Sequence, residues 1–463
     1  MSDERPRSGP LARLRRMLRP RPEPLRPWPE LTSFGPRPGG GVLVGGALRD
    51  ALLGRPWSDV DWLVDDPQRA AHELAVRTGG HAFALDPVRG HWRVVTGDRT
   101  IDLTPLRGPV ERDLARRDFT VNALALGPEG PIDPLGGRDD LADRRLVAAG
   151  PGALTDDPLR GLRGVRLAAA LDLRWDPGTR AQAADAAHAI RAGELATPAA
   201  ERMRDELTLI LHVARPGDAL TDAHELGWLE LLLPELVAGE GLEHGGFHHL
   251  DVLRHQLEAL QRLATGFPDA DVPLRLATLL HDVGKPACLE RDELGRTRFY
   301  GHADAGAQIT GRALRRLRYE RATGARAAEL VRRHMLPLPK NEREARRFVH
   351  RRRALLPDLL ELMIADRESA RGRLSSAGTR RAYRSALARV LALLEERPPE
   401  PPLLDGDEVM RLLDVGPGPR VGEALTFLAE ARAVGDVRDR DDARRALRSF
   451  ARARGWLPDA SEP

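Results

Sequence analysis

The chain has 463 residues, of which 41% are hydrophobic, so it is long enough to form two to four domains with real cores. Its 72 basic and 69 acidic residues leave a formal charge of +3, which permits a basic face for nucleic acid without demonstrating one. A single cysteine excludes an internal disulfide framework and fits a reducing cytoplasmic compartment, and no apolar run is long enough to span a membrane.

Residues 1–37 are rich in arginine and proline, which predicts a disordered basic tail. A solvated tail is favoured over one that contacts RNA phosphates. The remaining chain is divided by pattern into a mixed α/β head (38–150), a helical neck (151–240), a histidine-rich helical domain (241–375) and a helical C-terminal tail (376–463).

The head begins with a short apolar strand, a glycine turn and a short helix. Val42–Val44 form the strand, Gly45 and Gly46 interrupt it, and the residues up to Leu53 have helical spacing. Glycine allows the backbone to approach a ligand closely, and the free N–H groups at the start of a helix favour an anion. The segment therefore predicts a phosphate-binding turn.

A second strand, residues 59–64, carries two acids. Side chains alternate along a strand, so Asp59 and Asp61 lie on one face, roughly 6.6 Å apart. Carboxylates so placed can hold Mg²⁺ between an attacking hydroxyl and a polyphosphate. Incidental acids on an exposed strand are the alternative, and the preceding glycine turn favours the metal site.

The turn and this strand together resemble the class II tRNA nucleotidyltransferase and poly(A) polymerase family of the polymerase-β-like superfamily. That family carries the same Gly-Gly-x-x-Arg-Asp and Asp-x-Asp signatures. The resemblance implies that Asp59 and Asp61 bind Mg²⁺ and are catalytic. It also assigns nucleotide binding to the residues of the first signature, which are Gly45, Gly46, Arg49 and Asp50.

A helix over residues 67–79 and strands over 82–85, 92–95 and 100–103 complete the predicted sheet. In the last strand Ile101 and Leu103 point one way and Asp102 the other. Superfamily sites often take a third carboxylate from a neighbouring strand, so Asp102 is a catalytic candidate. An ordinary solvent-facing acid is an equal alternative.

Residues 111–124 contain Arg-Arg-Asp-Phe-Thr-Val-Asn-Ala, which matches the second family signature with Val121 where isoleucine is usual. Adjacent arginines can pair with triphosphate oxygens, and a helix here would put Asp118 and Asn122 on one face. The resemblance implies contacts with the triphosphate and the ribose from Arg116, Arg117, Asp118 and Asn122.

A third signature lies in residues 155–166. Thr155 or Asp156 is expected to cap a helix whose first turn contains Pro158, so that Asp157 and Arg160 share a face. An acceptor beside a fork of donors can pair with the edge of a cytosine or an adenine. The family uses Glu-Asp-x-x-Arg here to choose CTP or ATP, and this chain has Asp156 in place of the glutamate. Arg163 is expected to reach phosphates.

Histidines are concentrated between residues 241 and 375. The segment His281-Asp282-Val283-Gly284-Lys285 resembles the signature of an HD domain, whose other ligands are a preceding histidine and a distant aspartate. This resemblance implies a metal site made of His255, His281, Asp282 and Asp366. Imidazole and carboxylate together suit a transition metal or Mg²⁺. His302 and His334 are candidates for a second metal position, and a structural role is the alternative for any single histidine.

The predicted fold class is α+β, with a polymerase-β-like head containing a small mixed sheet, followed by an all-helical neck, HD domain and tail. The predicted function is addition of nucleotides to the 3′ end of tRNA from CTP, with ATP as a second substrate candidate. Residues 102–111 run almost directly into the Arg-Arg-Asp signature, whereas relatives that add the full CCA carry a longer loop there. This short connection favours addition of CC alone.

Three other functions stay open from the sequence. A poly(A) polymerase would extend general RNA with ATP only. An HD-type metal phosphohydrolase would carry a non-catalytic transferase head. An RNA-binding protein without catalysis would not need Asp59 or Asp61. The sequence does not indicate the oligomeric state.

Overall fold

The computed structural model describes residues 24–97, 99–243, 250–293, 297–370, 377–395 and 402–457. The predicted tail up to residue 23 lies outside this set, as do His244, His248 and His249 and most of the proline-rich linker before residue 402. The chain forms two compact units, one reaching Pro198 and including Glu225–Trp228, the other containing Ala199–His224 and the chain from Leu229 onward. The predicted neck is thus divided between them.

The first unit is built on a seven-stranded mixed sheet. Its strands are β1 (Val42–Val44), β2 (Asp59–Val64), β3 (His81–Asp86), β4 (His91–Thr96), β5 (Arg99–Pro105), β6 (Ala125–Gly127) and β7 (Gly130–Ile132). The spatial order is β3-β4-β5-β2-β1-β6-β7, and β2 and β5 are parallel while the other neighbours are antiparallel. The predicted small mixed sheet is confirmed.

The two faces of this sheet differ because apolar and polar residues alternate along its strands. Val60, Trp62, Ile101 and Leu103 are almost fully buried on one face. A helix over Pro67–Thr78 packs on the same side, against β3, β4 and β5. The other face carries Asp59, Asp61 and Asp102, so the catalytic candidates are collected on the side that this helix leaves open.

The helices of the first unit lie between the strands along the chain and continue after the last strand of the sheet. They are α1 (Gly46–Leu52), α2 (Pro67–Thr78), α3 (Val110–Leu114), α4 (Gly137–Ala142), α5 (Ala153–Asp156), α6 (Arg160–Leu171) and α7 (Pro177–Ala192). Short strands β8 (Arg145–Leu146) and β9 (Arg174–Trp175) pair in parallel, and 3₁₀ turns occur at Leu31–Phe34 and Thr120–Asn122.

Residues 24–37 pack on the head, although the composition assigns them to the disordered tail. Phe34 is buried and its ring lies 4.7 Å from that of Trp57. The amide of Arg26 donates to the carbonyl of Leu52 at 2.8 Å. Burial of one aromatic ring and a backbone hydrogen bond order a segment whose arginines and prolines predict disorder. The predicted tail therefore does not reach residue 37.

The second unit is almost entirely helical. Its first helices are α8 (Ala200–Leu211), α9 (Pro216–Glu225), α10 (Leu229–Leu232), α11 (Pro234–Val237), α12 (Val252–Gly266), α13 (Val272–Leu280), α14 (His302–Arg316) and α15 (Arg321–Arg333). Strands β10 (Glu290–Arg291) and β11 (Thr297–Arg298) form a small antiparallel pair, and a 3₁₀ turn occupies Pro286–Cys288.

The unit continues with α16 (Glu342–Arg352), a 3₁₀ turn at Arg353–Leu355, α17 (Asp358–Ser369), α18 (Ala377–Glu395), α19 (Gly406–Leu413), α20 (Pro419–Ala433) and α21 (Arg440–Ala453). The last three helices share one apolar cluster, in which Val409, Ala424, Ala443 and Leu447 have no exposed surface. No helix among the described residues is long and apolar enough to cross a membrane.

Candidate nucleotidyltransferase site and metal centre

The three acidic candidates of the head lie together on the open face of the sheet. Asp61 and Asp102 are register partners on the parallel strands β2 and β5, and Asp59 precedes Asp61 by two residues on the same face. Both oxygens of Asp102 accept hydrogen bonds from Arg93, at 2.6 and 2.7 Å. Arg93 is not among the residues predicted for this site, although its alternation with the buried Val94 puts it on this face.

The electrostatics of this face favour a cation. Burial raises the pKa of Asp61 to about 6, the guanidinium of Arg117 opposes this shift, and the carboxylates of Asp102 and Asp59 add to it. Clustered carboxylates that repel one another are stabilised by a divalent ion, and a donor set made of oxygens alone suits Mg²⁺. The residues present therefore fit a magnesium site.

Gly45 brings the turn after β1 against these acids. Its φ angle is +85°, a conformation that favours glycine. A Cβ atom at this position would lie 3.0 Å from Oδ2 of Asp61 and 3.1 Å from Nη1 of Arg117. A side chain there would force both groups to move by a few tenths of an ångström. The glycine turn, the second acid of Asp-x-Asp and the second arginine of the Arg-Arg-Asp signature thus meet at one point.

A chain of hydrogen bonds connects the first signature to the other two. Arg49 contacts both oxygens of Asp50 and donates from Nη1 to Oδ1 of Asn122 at 2.5 Å. Asn122 donates from Nδ2 to Oδ1 of Asp118 at 3.0 Å. Oδ2 of Asp118 accepts from Nη1 of Arg163 at 3.2 Å. Five of the predicted nucleotide-binding residues form one network.

The prediction that Asp118 and Asn122 share an α-helical face is wrong. Phe119 is extended and bridges Ala148, and the 3₁₀ turn begins only after it. Phe119 is completely buried, so packing of this ring prevails over the helical pattern of the surrounding charges. The two polar side chains nevertheless meet, because the 3₁₀ turn brings Asn122 back over Asp118.

Asp157 and Arg160 are also arranged differently from the prediction. Asp157 ends α5 in an extended conformation because Pro158 follows it, and α6 begins at Arg160 with no side-chain cap from Thr155 or Asp156. The two residues are therefore not on one helical face. The amide of Arg160 donates to the carbonyl of Asp157 at 3.0 Å, so a tight turn holds them together.

The guanidinium of Arg160 contacts three backbone carbonyls. Nη1 donates to those of Arg117 at 3.2 Å and Ala153 at 2.9 Å, and Nη2 donates to that of Arg116 at 2.9 Å. The predicted base-selecting arginine thus touches the Arg-Arg-Asp segment, and Arg117 in turn lies beside Asp61. The side chain of Arg117 is itself held by Asp113, at 3.2 Å, a partner that the sequence analysis missed.

The second unit brings all the predicted HD residues together. His255 on α12, His281 at the end of α13 and Asp366 on α17 form one group with ligand atoms within 4.8 Å of one another. Nε2 of His255 lies 3.1 Å from Nε2 of His281 and 3.1 Å from Oδ1 of Asp366. A second group of the same kind contains Asp282, His302 and His334.

Asp282 stands between the two groups. Its Oδ2 lies 3.5 Å from His255 and 3.3 Å from His281, while its Oδ1 lies 3.5 Å from His302 and 3.6 Å from His334. Oδ2 also accepts a hydrogen bond from Lys285 at 2.6 Å. The Asp282 carboxylate therefore has one oxygen close to the histidines of each group.

The four histidines share one orientation. Nδ1 of His281, His302 and His334 contacts the carbonyl three residues earlier, at 2.7 to 2.8 Å. Nδ1 of His255 contacts Oγ of Ser369 at 3.0 Å. Fixing Nδ1 in this way leaves Nε2 of every ring for a metal, as in histidine ligands generally.

Burial and charge at this cluster fit a metal as well. Nε2 of His302 and of His334 is buried without a hydrogen-bond partner among the described residues. Burial lowers the pKa of His302, which keeps that ring neutral and able to bind a metal. Burial opposes ionisation of Asp366, but its hydrogen bonds with His255 and His281 outweigh this and hold its pKa well below the ordinary value.

Comparison with known families and proteins follows the same division of the chain. The family described as Poly A polymerase head domain matches residues 42–112 and 108–147. The family described as probable RNA and SrmB-binding site of polymerase A matches residues 174–239, and the HD domain family matches residues 248–371. Both the head and the HD family typically use divalent metals.

The relatives are similar over nearly the whole chain. The A-adding tRNA nucleotidyltransferase of Deinococcus radiodurans is 50% identical over 439 residues, which cover 94% of this chain and 99% of that protein. The CC-adding tRNA nucleotidyltransferase of Thermus thermophilus is 45% identical over 406 residues, covering 87% and 92%. Among solved structures, the Thermotoga maritima CCA-adding enzyme complexed with tRNA has a TM-score of 0.58 at 21% identity, covering 89% of this chain and 91% of its own.

Proposed function

Because the chain belongs to the tRNA nucleotidyltransferase and poly(A) polymerase family, we propose that it adds nucleotides to the 3′ end of tRNA without a nucleic-acid template. The observation that carries this proposal is the meeting of Asp61 with the Gly45 turn and with Arg117. An acid for metal, a backbone that a phosphate can approach and a guanidinium for its oxygens are the parts that phosphoryl transfer needs.

In the reaction, the 3′ hydroxyl of the RNA attacks the α-phosphate of a nucleoside triphosphate, and pyrophosphate leaves. Asp59 and Asp61 would hold Mg²⁺, which when bound activates the hydroxyl and stabilises the charge on the leaving group. Arg116 and Arg117 bind triphosphate oxygens, and Arg49 on α1 supports the phosphates beside the glycine turn.

The remaining network orients the nucleotide. Asp118 and Asn122 bind the ribose, and Asn122 is itself held by Arg49. Asp157 and Arg160 read the base, with Arg163 steadying Asp118. Base choice by side chains at a fixed site needs no template strand, since one acceptor and two parallel donors can match the edge of a cytosine or an adenine.

For the nucleotide itself, we propose addition of CC from CTP. Only residues 106–109 separate β5 from α3, so this chain has the short connection that is typical of CC-adding relatives. Addition of the terminal A from ATP is the second candidate, and it is favoured by the 50% identity with the A-adding Deinococcus protein.

One incorporation assay tests both. Purified protein is given tRNA that lacks the CCA end, or tRNA that ends in CC, with CTP or ATP alone and then with both. We expect two cytidines on the first RNA and none on the second. A single adenosine added only to the CC end establishes the A-adding candidate, a full CCA end refutes both, and ATP-dependent extension of unrelated RNA indicates a poly(A) polymerase.

The second unit supports a separate candidate function, metal-dependent phosphohydrolysis. The observation that favours it is the inward orientation of four imidazole Nε2 atoms around Asp282. The four histidines would hold a transition metal or Mg²⁺ together with Asp282 and Asp366. When bound, such a metal lowers the pKa of water so that hydroxide can attack a phosphate ester. Opening of a nucleoside 2′,3′-cyclic phosphate to the monophosphate, or release of phosphate from a nucleoside monophosphate, is measured with added Ni²⁺, Mn²⁺ or Mg²⁺, and loss of this activity in Asp282→Asn tests the assignment.

A further inference from the structure

A row of four register partners crosses the sheet from the catalytic candidates to its edge. Asp61 on β2 pairs with Asp102 on β5, Asp102 with Arg93 on β4, and Arg93 with Phe83 on β3. Register partners place their side chains on the same face, so all four lie on the open side. Neighbouring strands are about 4.8 Å apart, which puts Phe83 about 14 Å from Asp61.

The far end of this row is apolar and exposed. Phe83 is 45% exposed, and Val95, which lies in the neighbouring register row together with Asp59, is 39% exposed. Leu85, also 45% exposed, lies at the irregularity in the β3–β4 pairing. Natural edge strands usually avoid exposed apolar side chains because they invite association. An aromatic ring kept open on an edge strand, in line with catalytic acids, therefore indicates a binding role.

The charges along the row beyond Asp61 do not oppose a polyanion. Arg93 forms a two-fold hydrogen-bonded ion pair with Asp102, so the third acid contributes little net charge between Asp61 and Phe83. A strand of RNA can therefore leave the carboxylates in this direction without passing an uncompensated negative group. At about 3.4 Å per stacked nucleotide, 14 Å is the length of about four nucleotides.

We propose that Phe83, with Leu85 and Val95 beside it, is a stacking platform for the unpaired bases at the 3′ end of the RNA acceptor. The inference rests on the proposed nucleotidyl transfer and adds the surface that holds the acceptor. Base-on-aromatic stacking accepts any base, which suits an end whose sequence changes as nucleotides are added. The 3′ hydroxyl then lies at Asp61, and the preceding bases lie along the row towards β3.

Steady-state kinetics of Phe83→Ala tests the platform, with the nucleotide that the wild type incorporates. We expect KM for the RNA acceptor to rise about 5- to 100-fold, while kcat and KM for the nucleotide stay close to wild type. Phe83→Trp should retain the wild-type KM, because it keeps an aromatic surface. Val76→Ala is the matched control, since Val76 is 85% exposed in the same unit but lies on α2, which covers the other face.

Equilibrium binding gives a second measurement that does not depend on turnover. Wild-type protein should bind tRNA with an unpaired 3′ end more tightly than the same tRNA trimmed to a blunt end, and Phe83→Ala should abolish that difference. Equal KM values for Phe83→Ala and wild type, or an equal loss for RNA and nucleotide, overturn the inference.

The remaining outcomes distinguish failure of the Phe83 platform from failure of the proposed nucleotidyl transfer. A wild-type protein that incorporates no nucleotide into any tRNA end refutes the proposed function, whereas an active wild type with an unaffected Phe83→Ala refutes only the platform. If sedimentation shows a wild-type dimer that Phe83→Ala converts to monomers without changing KM for RNA, the face binds a second copy of the chain and the platform is refuted.

Discussion

Arg163 on α6 donates a hydrogen bond to Oδ2 of Asp118 over 3.2 Å, which ties the helix that follows the third signature to the second signature. The carboxylate of Asp118 is nearly buried and also accepts from the amide of Phe119 at 2.8 Å. The residue expected to bind the ribose is therefore fixed before any nucleotide arrives.

We expect this pair to be energetically coupled. Asp118→Asn and Arg163→Gln should each raise KM for the nucleotide, and a double-mutant cycle on protein stability should give a coupling of about 1 to 2 kcal/mol, because each single variant removes a charge-assisted hydrogen bond to the nearly buried carboxylate of Asp118. Urea denaturation measures the cycle. Additive effects of the two changes would show that the contact contributes nothing.

Replacing either of the proposed metal-binding acids should stop the chemistry without weakening RNA binding. Asp59→Asn and Asp61→Asn are expected to lower kcat by about 10³-fold or more, since metal stabilisation of the transition state is worth several kcal/mol. Asp65→Asn is the control, because Asp65 is exposed and directly follows the strand. Single-turnover incorporation with excess enzyme measures the chemical step separately from RNA binding. Full activity of Asp61→Asn would contradict a metal-binding role for this residue.

The pH dependence of magnesium binding should report on Asp61. Burial raises its pKa to about 6, so below that pH the carboxyl is protonated and cannot bind a metal. The apparent Mg²⁺ affinity should thus be flat well above pH 6 and fall up to tenfold per pH unit below it. Asp102→Asn should move the midpoint to lower pH, because the charge of Asp102 adds to the shift. Activity titrated with Mg²⁺ at several pH values measures this.

The histidine cluster should bind metal and gain stability from it. Saturation with Ni²⁺ or Mn²⁺ at 100 times Kd should stabilise the folded protein by about 2.7 kcal/mol per ion, seen as a rise in Tm. His302→Ala and His334→Ala should lower the bound metal measured by elemental analysis, and His255→Ala should remove the ion of the other group. His212→Ala, an exposed histidine of the same unit, should change nothing.

Helix α6 should tolerate no side chain at Gly164. A Cβ there would lie 2.3 Å from the ring of Trp175 and 2.9 Å from that of Phe119, so Gly164→Ala should destabilise the first unit by about 1 to 3 kcal/mol. Gly422→Ala is the opposite case, because a Cβ at Gly422 on α20 would point into open space. This variant should gain about 1 kcal/mol of folding stability from helix propensity. Urea denaturation compares them, and a neutral Gly164→Ala would contradict the packing argument.

Much of the head could be predicted because its signals are local. Strand β2 has the predicted bounds, and its alternation correctly put Asp59 and Asp61 on one face. The helix predicted over residues 67–79 is observed as α2, Pro67–Thr78. Periodicity of apolar residues indicates directly which face is buried, so these elements could be predicted without knowing which distant residues they contact.

Other features depended on contacts that no local pattern contains. The conformation of Asp157 follows from the proline after it, a rule that the sequence offered but the helical interpretation overrode. The extended Phe119 depends on its burial against residues more than twenty positions away, such as Ala148. Arg93 and Phe83 could be connected to Asp102 only after the strand register was known.

The three carbonyls that bind Arg160 also affect how accurately the incoming base is selected. If this guanidinium reads the base, an incoming nucleotide must exchange existing hydrogen bonds for new ones, so a correct base gains little net affinity from them. An incorrect base breaks the same bonds and restores fewer, which leaves donors or carbonyls unsatisfied. Selectivity then comes from the weaker binding of an incorrect nucleotide, and the arginine returns to the three carbonyls after every cycle.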